Sequence, residues 1–202
     1  MGYDETVYQS VLKKFQRRPF EEIACFPDYK VNGDLISFDY LDHQIGVTHP
    51  EGFLKTDFDP ELELSLSARI LILQYLAKHT GKGRQDALVS YKDLLDGSDY
   101  KDTFMKRSIR PLVNSFGSVP ENLIKAAHAM RGCPNSLGDV GVTVEILPAC
   151  SIALVIWKGD KDFPPAGTIL FGEPLTCAFN AEDCVELASL LVERLEYINR
   201  RY

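Results

Sequence analysis

The sequence predicts an α+β fold, a single domain over 1–202 in which an antiparallel or mixed sheet packs against a central buried helix and a C-terminal helix. Residues 28–54 break into short runs with Gly33, Gly46 and Gly52 as turn points, the texture of an antiparallel meander. Residues 59–132 instead carry apolar side chains at helical spacing. From 138 the strand texture returns, and one more helix closes the chain. Strands and helices are thus grouped rather than alternating, which favours α+β over a doubly wound parallel sheet. The expected parts are 1–58 (N-terminal helix plus meander), 59–132 (helical) and 138–202 (strands plus C-terminal helix).

Val7, Val11, Leu12 and Phe15 recur at helical spacing and predict an amphipathic helix over Glu5 to Arg17. Leu35 to Tyr40 alternates towards its end, and Gln44-Ile45-Gly46-Val47 is placed to pair with it as a hairpin. Asp59-Pro60-Glu61 combines an N-cap acceptor, a proline at the first helical position and a carboxylate near the positive helix end. The helix it opens has Leu62, Leu66, Ile70, Leu73 and Ala77 on one face and Leu64, Leu71 and Tyr75 on another. Apolar on most sides, it reads as the central helix, stopped by Gly81.

Gly81-Lys82-Gly83-Arg84 lacks both P-loop spacing and a preceding strand, so it reads as a surface loop. Tyr100 to Phe116 is helical in pattern, with Pro111 forcing a kink or a restart. Ser118-Val119-Pro120-Glu121 has the capping-box pattern ahead of a helix through Met130, which Gly132 ends. Val142, Val144 and Ile146 alternate with Thr143 and Glu145 as in a strand with one covered face. Ile152 to Trp157 has no polar break, as expected of a strand covered on both sides. Thr168 to Phe171 reads as a third strand. Asn180-Ala181-Glu182-Asp183 caps the last helix, whose face is Val185, Ala188, Leu191, Val192, Leu195 and Ile198.

The formal net charge of -7 argues against nucleic-acid binding, which needs a basic face to neutralise phosphates. No apolar stretch approaches the ~20 residues of a membrane span, and the first residues lack the apolar centre of a signal peptide. The expectation is a cytoplasmic protein with no membrane partner. The opening Met1-Gly2-Tyr3-Asp4-Glu5-Thr6 fits a myristoylation pattern only formally. The five cysteines form no C-x-x-C; Cys184 lies in a first helical turn, a place that favours a thiolate, but a free cysteine is usually a small buried hydrophobe, so it reads as inert. The sequence names no cofactor and leaves the oligomeric state open.

Chemistry concentrates in Trp157-Lys158-Gly159-Asp160-Lys161-Asp162-Phe163-Pro164-Pro165. A covered strand delivers this polar connection to a rigid sheet edge. Asp160 and Asp162, with Glu173, are the candidate ligands for a hard cation or an acid/base pair. The plainer alternative is a turn in which Asp accepts backbone N–H bonds and proline fixes the exit. Trp157 either walls a ligand pocket or plugs the sheet end. Together with Gly159, Phe163 and His49 these residues make up the candidate ligand site. His49 enters as the isolated loop histidine, since no H-x-x-x-H pairing exists. Asp42-His43-Gln44-Ile45-Gly46 approaches the cobalamin-binding Asp-x-His-x-x-Gly pattern, but Leu41 stands where its aspartate is required.

Pro111-Leu112, Phe116-Gly117, Gly138-Asp139, Pro148, the Trp157-x-Gly159-Asp160-x-x-Phe163-Pro164 core, Leu170-Phe171 and Glu182-Asp183 form a pattern. It resembles a prokaryotic domain-of-unknown-function family, the 3786 family, frequent in anaerobes. The similarity is strong over about the last hundred residues and looser back to Asp59. Family members commonly carry an Asp after the Leu-Phe pair, where this chain has Gly172. Some add an N-terminal four-cysteine iron–sulfur module that this sequence does not show. The resemblance implies anaerobic, redox or one-carbon surroundings and no established activity. The expected function is a small-ligand or cofactor-binding accessory protein, its partner a small molecule or a redox or one-carbon protein. The alternatives are a metal-assisted hydrolase or lyase using Asp160 and Asp162, and a structural or interaction subunit.

Overall fold

A computed structural model describes residues 3–56, 64–84 and 86–201, in two compact units, 1–82 and 83–202. The architecture is α+β, and every strand pairing among the described residues is antiparallel. The mixed-sheet option therefore drops out, and the strands divide between two sheets. Among the described residues no helix is long and apolar enough to cross a membrane.

In the first unit, α1 (Glu5–Arg17) spans the expected residues and starts where Asp4 Oδ1 accepts the Val7 N–H at 2.9 Å. Its apolar stripe buries Tyr8, Val11 and Phe15. A short α2 (Phe20–Ala24) follows Pro19, with too few residues to show a period. β1 (Lys30–Asn32), β2 (Leu35–Tyr40), β3 (His43–Thr48) and β4 (Leu54–Thr56) then form the expected meander in sequence order.

α3 (Leu66–Lys78) packs on α1. The Asp59-Pro60-Glu61 opening lies outside the described residues. The helix starts later than expected, at Leu66, with Ser65 Oγ accepting the Ala68 N–H at 3.2 Å. It ends at Lys78, and the Arg18 guanidinium donates to the Leu76 carbonyl at 2.7 Å, satisfying one of its last carbonyls. Ile70 to Leu76 are buried without a break, as the all-round apolar pattern required. Tyr75 meets the β2 ring of Phe38 at 5.9 Å, and Gly52 leaves room for the two helices. A Cβ there would stand 2.5 Å from Leu12 and 3.4 Å from Leu73.

The second unit opens with β5 (Leu88–Ser90) and then α4 (Lys101–Phe104), a π turn over Met105–Ile109 and α5 (Arg110–Phe116) in one run. Pro111 causes the irregularity. It has no N–H for the ladder, its ring crowds the preceding turn, and the backbone widens so that the Arg110 N–H reaches back to Met105. α6 (Glu121–Ala129) forms as expected, but its capping box does not. The helix begins at Glu121, too late for Ser118 to cap it, and the Glu121 carboxylate is taken by Lys158. Nor does Gly132 supply the left-handed stop. Arg131 does, at φ 59°, while Gly132 is required because a Cβ would sit 2.9 Å from Val144.

β6 (Cys133–Asn135), β7 (Val140–Leu147), β8 (Cys150–Trp157) and β9 (Ala166–Gly172) complete a sheet of order β5-β9-β8-β7-β6. β8 is the middle strand, buried continuously from Ile152 to Ile156, in agreement with its unbroken apolar run. A short α7 (Glu173–Ala178) leads to α8 (Ala181–Asn199). The expected cap is present: Asn180 accepts the Asp183 N–H at 2.9 Å, and Asp183 accepts the Asn180 N–H at 3.0 Å.

Candidate functional site

Middle strand β8 leaves the core at Trp157, which pairs with Ala166 at the start of β9. The connection between them is a fastened rim. Lys158 donates its N–H to Asp139 Oδ2 at 2.8 Å and its ammonium to Glu121 Oε1 at 2.6 Å. The hydrogen bond from Lys158 draws the Glu121 carboxyl below its usual range, and the same bond holds the Lys158 ammonium above its own. Gly159 is required by close approach, since a Cβ would lie 2.8 Å from the Pro165 nitrogen.

Asp160 closes the turn. Its Oδ1 accepts the N–H groups of Asp162 and Phe163, each at 2.8 Å, and its own N–H donates to the Phe163 carbonyl at 2.9 Å. One carboxylate oxygen thus does the work expected of an Asp in a tight turn. Asp162 takes part through its backbone and leaves its carboxylate exposed. The rim also exposes its aromatics, Trp157 at 43% and Phe163 at 72%. Pro165 rests on Gly117, where a Cβ would stand 3.0 Å from the proline ring.

The structure therefore gathers Trp157, Gly159, Asp160, Asp162 and Phe163 on one connection. Glu173 is not among them. It follows the far end of β9, and seven residues of extended strand put roughly 20 Å between that end and the rim. Its Oε2 accepts the Arg84 N–H at 2.8 Å. Asp160, Asp162 and Glu173 are thus not brought together at one place, and among the described residues no group of three or more His, Cys, Asp or Glu is placed to hold an ion. The Gly81–Arg84 loop offers its last N–H to Glu173 rather than to a phosphate, and Gly83 lies against the Pro174 backbone.

His49 belongs to the first unit. Its Nε2 lies 3.0 Å from the Arg18 carbonyl, which can only accept, so this nitrogen carries the proton. The ring packs edge-on against Phe15 at 5.0 Å. Cys184 is buried, in keeping with its reading as an inert thiol. Burial pushes its thiol up, and the neighbouring Asp183 charge adds to the rise, outweighing the helix start.

Sequence reasoning missed the fasteners Glu121, Lys158 and Asp139, and no local motif marks a contact spanning 37 residues of chain. Part of the signal was nevertheless present. Gly117, Gly138 and Asp139 belong to the family pattern, and each has a steric or bonding duty here. Gly138 runs at φ +62° with a Cβ position 2.5 Å from Val155.

No curated protein and no solved structure matches the chain. A family model described as a domain of unknown function (DUF3786) does match, over residues 19–194, running through both units and across the whole rim. The chain belongs to that family.

Proposed function

We propose that the protein is a small-ligand-binding accessory protein whose ligand is a flat molecule stacked on Trp157. The observation that carries this reading is the exposure of Trp157 and Phe163, at 43% and 72%, on a connection tied by Asp160 and by the Lys158–Glu121 pair. Large aromatic side chains contribute most when covered, and a pre-ordered ring meets a flat partner at little cost in conformational entropy. The family resemblance supplies the setting from which ligands are chosen: anaerobic, redox or one-carbon chemistry.

The metal-assisted hydrolase or lyase reading has less support. Asp160 Oδ1 is committed to two N–H groups, and Glu173 is committed to Arg84 on the other end of β9. The deciding experiment uses Trp157 emission, since this is the chain's only tryptophan. A panel of corrinoid, haem, flavin, folate and nucleotide ligands is titrated against it. Saturable quenching or a spectral shift that disappears when Phe163→Ser is introduced is the expected result. Emission indifferent to every ligand would overturn the reading.

A further inference from the structure

In the first unit two histidines hold one short segment, Arg18 to Tyr29, which carries α2. His79, at the C-cap of α3, is only 4% exposed. Its ring lies between Tyr75 at 4.7 Å and Phe26 at 4.8 Å. Phe26 stands in the link from α2 to β1, so this contact ties the far end of the segment to α3. A Cβ on Gly81 would stand 3.2 Å from the Phe26 ring, so the chain beyond His79 closes on it too. The Arg18 guanidinium is 5.9 Å over Phe26, and donates to the Leu76 carbonyl at 2.7 Å and the Glu22 carbonyl at 3.3 Å. Arg18 and His79 therefore meet on one phenylalanine at the end of one helix. The near end of the segment is held by His49, whose Nε2–H donates to the Arg18 carbonyl at 3.0 Å and whose ring lies 5.7 Å from Phe20.

We propose that residues 19–29 are a pH-operated flap: protonation of His79 frees the Phe26 end, while His49 keeps the segment pivoted at Arg18. The groups facing His79 are Arg18 from the link before α2, Asp28 from the link after it, and Tyr75 on its own helix. Tyr29 lies one ring further, 5.5 Å from Phe26. Burial and Arg18 disfavour the imidazolium, and Asp28 offsets this in part. Swinging Phe26 away lets water reach the ring and restores its ordinary basicity, so the open form holds the extra proton. Acidification below 6.5 favours opening by up to about tenfold per pH unit, until the lower value of the closed form is reached. The His49 bond survives, because a carbonyl accepts from Nε2–H in either charge state of the ring. Opening uncovers Ile23, fully buried on α2, and a face of Phe26.

The test is hydrogen exchange on the full chain at about pH 7.5 and about pH 5.5, a range in which exposed carboxylates stay charged. Rates are read as protection factors, which removes the pH dependence of chemical exchange. The informative amides are Glu22 and Tyr29, bonded within the segment to the Pro19 and Phe26 carbonyls. The expected result is that they exchange faster than the buried turns of α3, are indifferent to low urea, and lose about three- to tenfold or more of their protection on acidification. His79→Gln keeps a polar side chain that does not titrate and should abolish the acid dependence. Circular dichroism checks that this variant is folded; the parent profile decides without it. Amides of the segment that exchange only together with α3, with the urea sensitivity of global unfolding, would overturn the proposal. So would protection unchanged between the two pH values, or an acid dependence that persists in folded His79→Gln.

Discussion

Asp160 shows how one side chain can be read as chemistry or as geometry. Its Oδ1 receives two backbone N–H groups, a duty that needs an acceptor oxygen and no charge. Asp160→Asn should accordingly lie within about 1 kcal/mol of the parent in chemical denaturation, while Asp160→Ala, losing both acceptors, should cost about 1–3 kcal/mol. Equal losses in the two variants would mean that charge matters in the turn. His79 makes the opposite case, where charge decides. The ring is wedged between Phe26 at 4.8 Å and Tyr75 at 4.7 Å. Burial and the Arg18 guanidinium hold its pKa below the ordinary 6.5, and Asp28 offsets this only in part. The unfolded chain therefore takes up the proton more readily than the folded one. Stability from this group is complete above pH 6.5 and is lost as pH falls toward the depressed folded value. Urea midpoints measured on either side of 6.5 should fall on acidification, and His79→Phe should flatten that dependence while keeping a ring in place.

Helices α1, α3 and α8 and strands β7 and β8 were legible because each is long enough to display its period or its unbroken apolar run. Elements of three to six residues, such as α2, β5, β6 and α7, left no such trace. Their positions follow from tertiary contacts: β5 exists because Val89 finds Phe171 across 82 residues of chain. The capping box ahead of α6 misled for the same reason, since a distant lysine outcompeted the local backbone for Glu121. For α3 the sequence gives a quantitative expectation. Leu73 is fully buried beside α1, so Leu73→Ala should lower stability by about 2–5 kcal/mol in thermal or chemical unfolding. A midpoint close to the parent would show that the surrounding side chains collapse into the vacated space.

At the level of the whole molecule, the two compact units each hold their own sheet and their own principal helix. Residues 83–201 expressed alone should give the circular dichroism of a mixed helix and sheet and one cooperative unfolding transition. A featureless, non-cooperative melt would show that this part depends on residues 1–82. The candidate site was legible in sequence as far as a single connection reaches, from Trp157 to Phe163. What binds that connection to the rest, and what separates Glu173 from it, depends on distant contacts such as Lys158–Glu121 and on where a seven-residue strand carries its far end.

Strand length has a further consequence, for behaviour at high protein concentration. The outer strands of both sheets, β1, β4, β5 and β6, are three residues each, whereas the inner ones run from six to eight. A short outer strand exposes few unpaired N–H and C=O groups, and in β6 Pro134 removes one donor altogether. The long, apolar β8, which on its own has the makings of an amyloid-forming segment, lies two strands in from either margin. Among the described residues, the sheet order thus keeps this long apolar stretch away from the sheet margins, where a neighbouring molecule could add a strand.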